Sequence, residues 1–233
     1  MRTIITLALM LVSMVMLDMA TDVWTCVFLK ALASFFFVLT GFFAMKERKS
    51  GSAYSRIIMA GLVSGMIGDV FMDLANLPDG DLYFIIGLVT FALGHVFYLI
   101  AFFKKTSFRW LNLVPTLIAV PAVLFCVPAT GMFEFSPPLL FYAVIIYVFV
   151  LSFMMGKSFS FTEFRENPGF VRLTMIGAIL FALSDLILFF TLFFTPISRL
   201  PKDTTTQFVL HVLNLLIYYA GQGLIALSLK KEP

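Results

Sequence analysis

Hydrophobic runs of roughly twenty residues, separated by short polar turns, recur along the whole chain. A helix needs about 20 residues to cross a ~30 Å hydrocarbon core. On that measure the pattern predicts helices over 2–18, 22–45, 55–74, 81–103, 110–128, 137–155, 171–194 and 207–229. Barrel strands would be shorter and would alternate apolar and polar positions, so helices are expected. The connections carry turn chemistry, as in Leu77-Pro78-Asp79-Gly80, Ser136-Pro137-Pro138 and Asn167-Pro168-Gly169. None has the length of a linker. The expected fold is all-α, a polytopic membrane protein of eight transmembrane helices forming one integral domain over residues 1–233. The first run follows Met1 and Arg2 and could imitate a signal peptide, but no small-residue cleavage site follows it, so it is expected to stay as the first helix.

Four of these runs each carry one strongly polar group in a shared setting. The pattern reads Gly61-x3-Gly65-x2-Gly68-Asp69, Gly87-x3-Phe91-x2-Gly94-His95 and Gly177-x3-Phe181-x2-Ser184-Asp185, with a looser copy Asn214-x3-Tyr218-x2-Gly221-Gln222. At about 100° per residue, Gly61, Gly65 and Asp69 share an arc of about 80°. Small residues at that spacing mark close helix contacts, so Asp69 is expected to face the bundle interior. Phe91, His95, Tyr98 and Phe102 share a face of helix four. Gln207, His211, Asn214, Tyr218 and Gln222 form a stripe on helix eight that is expected to face away from lipid.

The copies pair Asp69 with Asp185 and His95 with Gln222. Each acid follows an arginine by thirteen residues (Arg56 to Asp69, Arg172 to Asp185), about 20 Å from the same end of its helix. This suggests a four-plus-four parallel repeat with a site at the repeat interface. Helices one and two show no obvious likeness to five and six.

Composition agrees with a membrane protein. Hydrophobic residues make up 61% of the 233 and charged residues 12%, against about 25% charged in soluble domains. Thirteen of the sixteen lysines and arginines flank the N-terminus, the even-numbered loops and the C-terminus, including Lys49. Arg199 and Lys202 flank odd-numbered loops, and Lys30 lies inside span two. The positive-inside rule then places both termini in the cytoplasm. Asp18, Asp22, Asp73, Asp79, Asp81 and Glu134 gather on the other side. The net charge of +3 therefore reflects topology, and no nucleic-acid partner is expected. The two cysteines, Cys26 and Cys126, both fall in apolar runs, so neither a disulfide framework nor a zinc site is expected.

Lys30 lies about eight residues, roughly 12 Å, below the outer end of helix two. That is near the depth of Asp69, Asp185 and Asn214, with His95, Tyr98, Tyr218 and Gln222 a layer below. The expected result is a polar cavity with two acids and one lysine in its outer layer. One lysine neutralises only one of two carboxylates, so the other is expected to hold a proton. Such a pair suits general acid–base hydrolysis. A buried ion pair that merely holds helices together is the plainer reading. Ser64 and Ser184 have no histidine paired on the same helix, and no Gly-rich phosphate loop occurs.

Gly68-Asp69, Gly94-His95-Val96-Phe97-Tyr98, Phe181-Ala182-Leu183-Ser184-Asp185 and Tyr219-Ala220-Gly221-Gln222, with Lys30 upstream, resemble the YhhN lysoplasmalogenase family. The resemblance covers nearly the whole chain. It implies an eight-helix membrane hydrolase that cleaves the vinyl ether of a lysoplasmalogen to a fatty aldehyde and glycerophosphocholine or glycerophosphoethanolamine. The implied partners are a lysophospholipid substrate and membrane lipid, with no metal or organic cofactor. The implied catalytic residues are Asp69, Asp185 and His95. Lys30, Tyr98 and Gln222 are the further positions the resemblance implies; with Asn214 and Tyr218, taken from the shared polar stripe, they are expected to bind substrate, and Lys30 or the outer aromatics Trp24 and Tyr83 to hold the headgroup. The expected location is the cell membrane, the inner membrane in a bacterium.

The expected chemistry is carboxylate-catalysed hydration, close in logic to glycosidases, with the acid nearer Lys30 ionised. An intramembrane aspartyl protease is disfavoured because the residues before Asp69 do not give Gly-x-Gly-Asp. A proton-coupled transporter or lipid-binding protein using the same Asp/His/Lys cluster is the alternative.

Overall fold

The computed structural model describes residues 2–18, 22–48, 51–201 and 204–233; Lys49 and Lys202, and the side chain of Asp18, lie outside what it describes. Among these residues there is no strand beyond one isolated bridge, Phe133 to Phe194. The principal helices are α1 (Arg2–Asp18), α2 (Val23–Arg48), α3 (Ala53–Leu74), α4 (Asp81–Lys105), α5 (Trp110–Thr130), α6 (Leu139–Ser158), α7 (Pro168–Phe193) and α8 (Thr205–Lys231). Seven are long and apolar enough to cross a membrane. The shorter α1, with 17 residues, is apolar but falls below that length.

Local chemistry sets several boundaries. Ser52 caps α3 by accepting from Ser55 N at 3.0 Å, and Asn167 caps α7 from Phe170 N at 3.2 Å, with Pro168 in the first turn. The fifth span departs from the simple helix expected. It begins as a 3-10 turn at Trp110–Leu113, continues as an α-helix to Pro121, widens into a π-turn at Ala122–Cys126 and ends at Thr130. Pro121 and Pro128 flank the wide turn. Each removes a backbone donor and crowds the carbonyl four residues earlier, so a regular ladder cannot run through. Gly131, with φ of +62°, then stops the segment in the left-handed region.

The tightest contacts join α3 to α4 and α7 to α8. Glycines explain both. A Cβ on Gly94 would sit 3.3 Å from the Gly61 carbonyl oxygen, and one on Gly221 would sit 3.0 Å from that of Gly177. Only bare backbones approach so closely. Around these pairs, α2 packs on α1, α3 and α8, while α6 packs on α4, α5 and α7. The fifth span packs chiefly on α6, and the loop after it is strapped to the end of α7 by Thr195 N to Met132 O at 2.8 Å and Glu134 N to Phe193 O at 2.9 Å.

A charged clamp closes the opposite end. The fully buried Glu232 carboxylate accepts from Ser52 Oγ at 2.7 Å and Lys105 Nζ at 2.9 Å on Oε1, and pairs with Arg48 at 2.8 Å through Oε2. Three helices are thereby tied to the end of α8.

Candidate active site

Asp69 and Asp185 face one small polar cavity. The cavity holds about 60 Å³ and is lined by Lys30, Asn214, Tyr218, Ser184, Phe91 and neighbours as well as the two acids. The close crossing at Gly61, Gly65 and Gly94 brings α3 and α4 together, so α3 presents Asp69 inward at 2% exposure. Asp69 Oδ2 accepts from Ser34 Oγ at 2.5 Å and Tyr218 OH at 2.7 Å. Asp185, on α7, is held by a different set. Its Oδ2 accepts from Tyr147 OH at 2.7 Å and lies 3.2 Å from His95 Nε2. His95 is fully buried, against the Phe181 ring at 4.6 Å between centroids, and its Nδ1 has no partner. The same Nε2 lies 2.9 Å from Tyr147 OH, so one ring nitrogen faces both the phenol and the carboxylate.

The cavity adjoins a much larger apolar groove. This groove holds about 470 Å³ between α4, α5, α6 and α7, with walls that include Phe84, Leu88, Ala122, Val148, Leu183 and Phe189. Met72, Phe91, Asp185 and Leu188 line both spaces. Asp185 and Tyr147 are the ionisable groups with oxygen on the groove wall. A ligand that fills both spaces must be amphiphilic, with its polar–apolar junction at Asp185.

The expected residues fall into three groups. Asp69, Asp185, Lys30, Asn214 and Tyr218 line the cavity together, and Asn214 Nδ2 donates to the Ser184 carbonyl at 2.6 Å. His95 touches Asp185 from behind. Tyr98 and Gln222 lie a layer below the acids, as expected, but outside the cavity wall. Tyr98 OH donates to Gln222 Oε1 at 2.6 Å, Gln222 Nε2 lies 3.4 Å from Tyr218 OH, both residues are fully buried, and neither is among the cavity-lining residues. They set the orientation of Tyr218. They are one turn and more away from Asp69, deep in the α3–α4–α8 contact.

Lys30 also departs from expectation. Its Nζ pairs at 2.7 Å with Asp73, one turn beyond Asp69, and with neither cavity acid. On α8 the polar stripe faces inward only from Asn214 onward; His211 is exposed, and Gln207 Nε2 bonds the Ile197 carbonyl at 2.6 Å.

Sequence reasoning missed Tyr147, Ser34, Tyr219 and Asp73 as site residues. Tyr147 sits in an apolar run without the glycine-spaced pattern, so nothing local marked it. Ser34 and Tyr219, 3.3 Å apart, form a second layer under Asp69. Asp73 was legible only as one of several acids near an outer loop.

The sequence profile of the YhhN family matches residues 21–229. No curated protein and no solved structure matches the chain.

Proposed function

The chain belongs to the YhhN family, and from that premise we propose that it is a membrane hydrolase cleaving the vinyl ether of a lysoplasmalogen. The observation that carries this reading is the pair of separately held carboxylates at the point where an apolar groove meets a polar cavity. A single-chain vinyl ether lipid has its reactive carbons at that junction, the first atoms of its chain.

In this reading Asp185 is the acid, because it alone of the pair lines the groove. Its Oδ2 takes the Tyr147 and His95 bonds, leaving Oδ1 to carry a proton. That proton adds to the second alkenyl carbon, and the first becomes an oxocarbenium ion. Asp69 is the ionised partner, on the side of the cavity nearer Lys30. It takes a proton from water as the oxygen adds to the first carbon, giving a hemiacetal. Asp69 then returns that proton to the glycerol oxygen as the carbon–oxygen bond breaks. The hemiacetal hydroxyl gives its proton to Asp185, releasing aldehyde and restoring both acids. His95 and Tyr147 hold Asp185 in place; Tyr218 and Ser34 hold Asp69.

The eight-span count, both termini in the cytoplasm, the cell membrane as location and the four-plus-four repeat belong to the same reading. The paired contacts support the repeat: α3 with α4 mirrors α7 with α8, α2 with α8 mirrors α6 with α4, and the Gly61–Gly94 crossing mirrors Gly177–Gly221.

The direct test is aldehyde release by purified protein in detergent, run in deuterium oxide with the aldehyde reduced as it forms. One deuterium on the carbon next to the former carbonyl is expected. A well-folded protein that forms no aldehyde would overturn the activity; aldehyde without deuterium would overturn carbon protonation. Replacing Tyr147 with Phe removes one hydrogen bond from Asp185, a loss of roughly 1.5–3 kcal/mol when the acceptor is charged. Turnover should fall by roughly tenfold to a hundredfold, and an unchanged kcat would count against Asp185 as the acid.

A further inference from the structure

Buried ion pairs are a poor means of joining helices in a membrane. Desolvation offsets much of the Coulombic gain, and apolar packing would serve as well or better. The pair Lys30–Asp73 is nonetheless built into the protein at 2.7 Å, with each side chain 14% exposed. Lys30 lines the cavity that holds both acids. Among the described residues its ammonium makes one hydrogen bond, to Asp73 Oδ1, and an ammonium has three donors. The second carboxylate oxygen of Asp73 takes no side-chain bond within that set. A cation and an anion, each with unused hydrogen-bonding capacity, therefore stand side by side one turn beyond Asp69.

Resting on the hydrolase reading above, we propose that Lys30 and Asp73 form the headgroup-recognition site and select a zwitterionic phospholipid. Lys30 takes the phosphate, and Asp73 takes the ammonium of an ethanolamine or choline headgroup. The geometry matches charge for charge. Paired at 2.7 Å, the two residues neutralise each other. When the lipid binds, they exchange that contact for the two opposite charges of the headgroup, so no net charge is buried in either state. An anionic headgroup without an amine would meet Lys30 but leave Asp73 unpaired beside the phosphate. The chain in the groove, the ether at the two acids and the headgroup one turn further out then form a single register.

The test uses saturated 1-O-alkyl lysolipids, which have no vinyl bond to cleave, so binding is measured whether or not the protein is a hydrolase. Wild-type protein is titrated with the ethanolamine, glycerol and unsubstituted phosphate headgroups on one chain, with the matching fatty alcohol as a phosphate-free probe. The ethanolamine lipid is expected to bind more tightly than the two anionic lipids by on the order of tenfold. Asp73→Asn should erase that preference, with little loss for the anionic lipids. Lys30→Met should weaken all three phosphate-bearing lipids and leave the fatty alcohol unchanged. Equal affinity of wild type for all three headgroups would overturn the proposal without any variant needing to fold. So would variants that weaken the fatty alcohol as much as the phospholipids, since that pattern belongs to a pair that only holds helices. Headgroup preference without aldehyde release would retain this site and reject the hydrolase reading.

Discussion

Asp185→Asn protein is expected to fold, to bind a single-chain lipid and to release no measurable aldehyde. The amide is close in shape to the acid, and its carbonyl can still accept from Tyr147 OH, which bonds Oδ2 at 2.7 Å in the parent. What it lacks is a transferable proton on the groove wall. Loss of a positioned general acid typically removes about 10²–10⁴ in rate, and the fall should appear in kcat with the affinity for a non-cleavable ether analogue preserved. Asp69→Asn should produce a loss of the same order by a different route, because water then has no base in the cavity. Either variant keeping more than about a tenth of the parental turnover would remove that carboxylate from the mechanism. The pair of variants also addresses the transporter alternative. A proton-coupled carrier has no aldehyde to lose and would instead lose proton-dependent flux.

A large effect on stability is expected at Gly221, within the α7–α8 crossing. A side chain there would place its Cβ 3.0 Å from the Gly177 carbonyl oxygen and 3.0 Å from Phe181 N, both of which are backbone. Backbone cannot rotate aside as a flexible side chain can. Gly221→Val must therefore separate α7 from α8, at a cost of about 1–3 kcal/mol for overpacking and occasionally more. For a chain of this size that corresponds to a fall of roughly 2–12 °C in the melting temperature in detergent. Activity should fall further than stability alone implies, because Gln222, the next residue, sits behind Tyr218 and hence behind Asp69. Gly51→Ala is the control, since nothing lies within 4 Å of the Cβ it would add. A Gly221→Val protein that melts with the parent would show that this crossing is not tight in solution.

Much of the bundle was legible in advance because the membrane imposes one rule on every run, a helix of fixed length. The span boundaries follow from that rule, and only the internal form of the fifth span does not. There the prolines at 121 and 128 could be read, but the π-turn between them depends on how freed backbone groups find new partners. The inward-facing acids were legible because glycine spacing marks a close crossing and fixes the face of the helix. Partners across helices were not. Tyr147 reaches Asp185 from α6, and Lys30 reaches past Asp69 to Asp73, both through choices of side-chain direction that a one-dimensional pattern does not encode. The groove was equally hidden. Its walls are ordinary apolar residues, and only the loose seating of the fifth span leaves space between them.

Glu232 lies beyond all eight helices in chain order, yet the groups it joins, Arg48, Ser52 and Lys105, belong to the first half. In a chain synthesised from its N-terminus, those basic groups emerge long before the acid that neutralises them. Flanking positive charge is what orients a helix during insertion. With both termini in the cytoplasm, as proposed above, the same arginine and lysine would act first as unpaired charges that direct threading, and become packing elements only when α8 has been made. The clamp is in effect a latch on a finished assembly: it cannot close early, and so it does not oppose the step that its own charges direct.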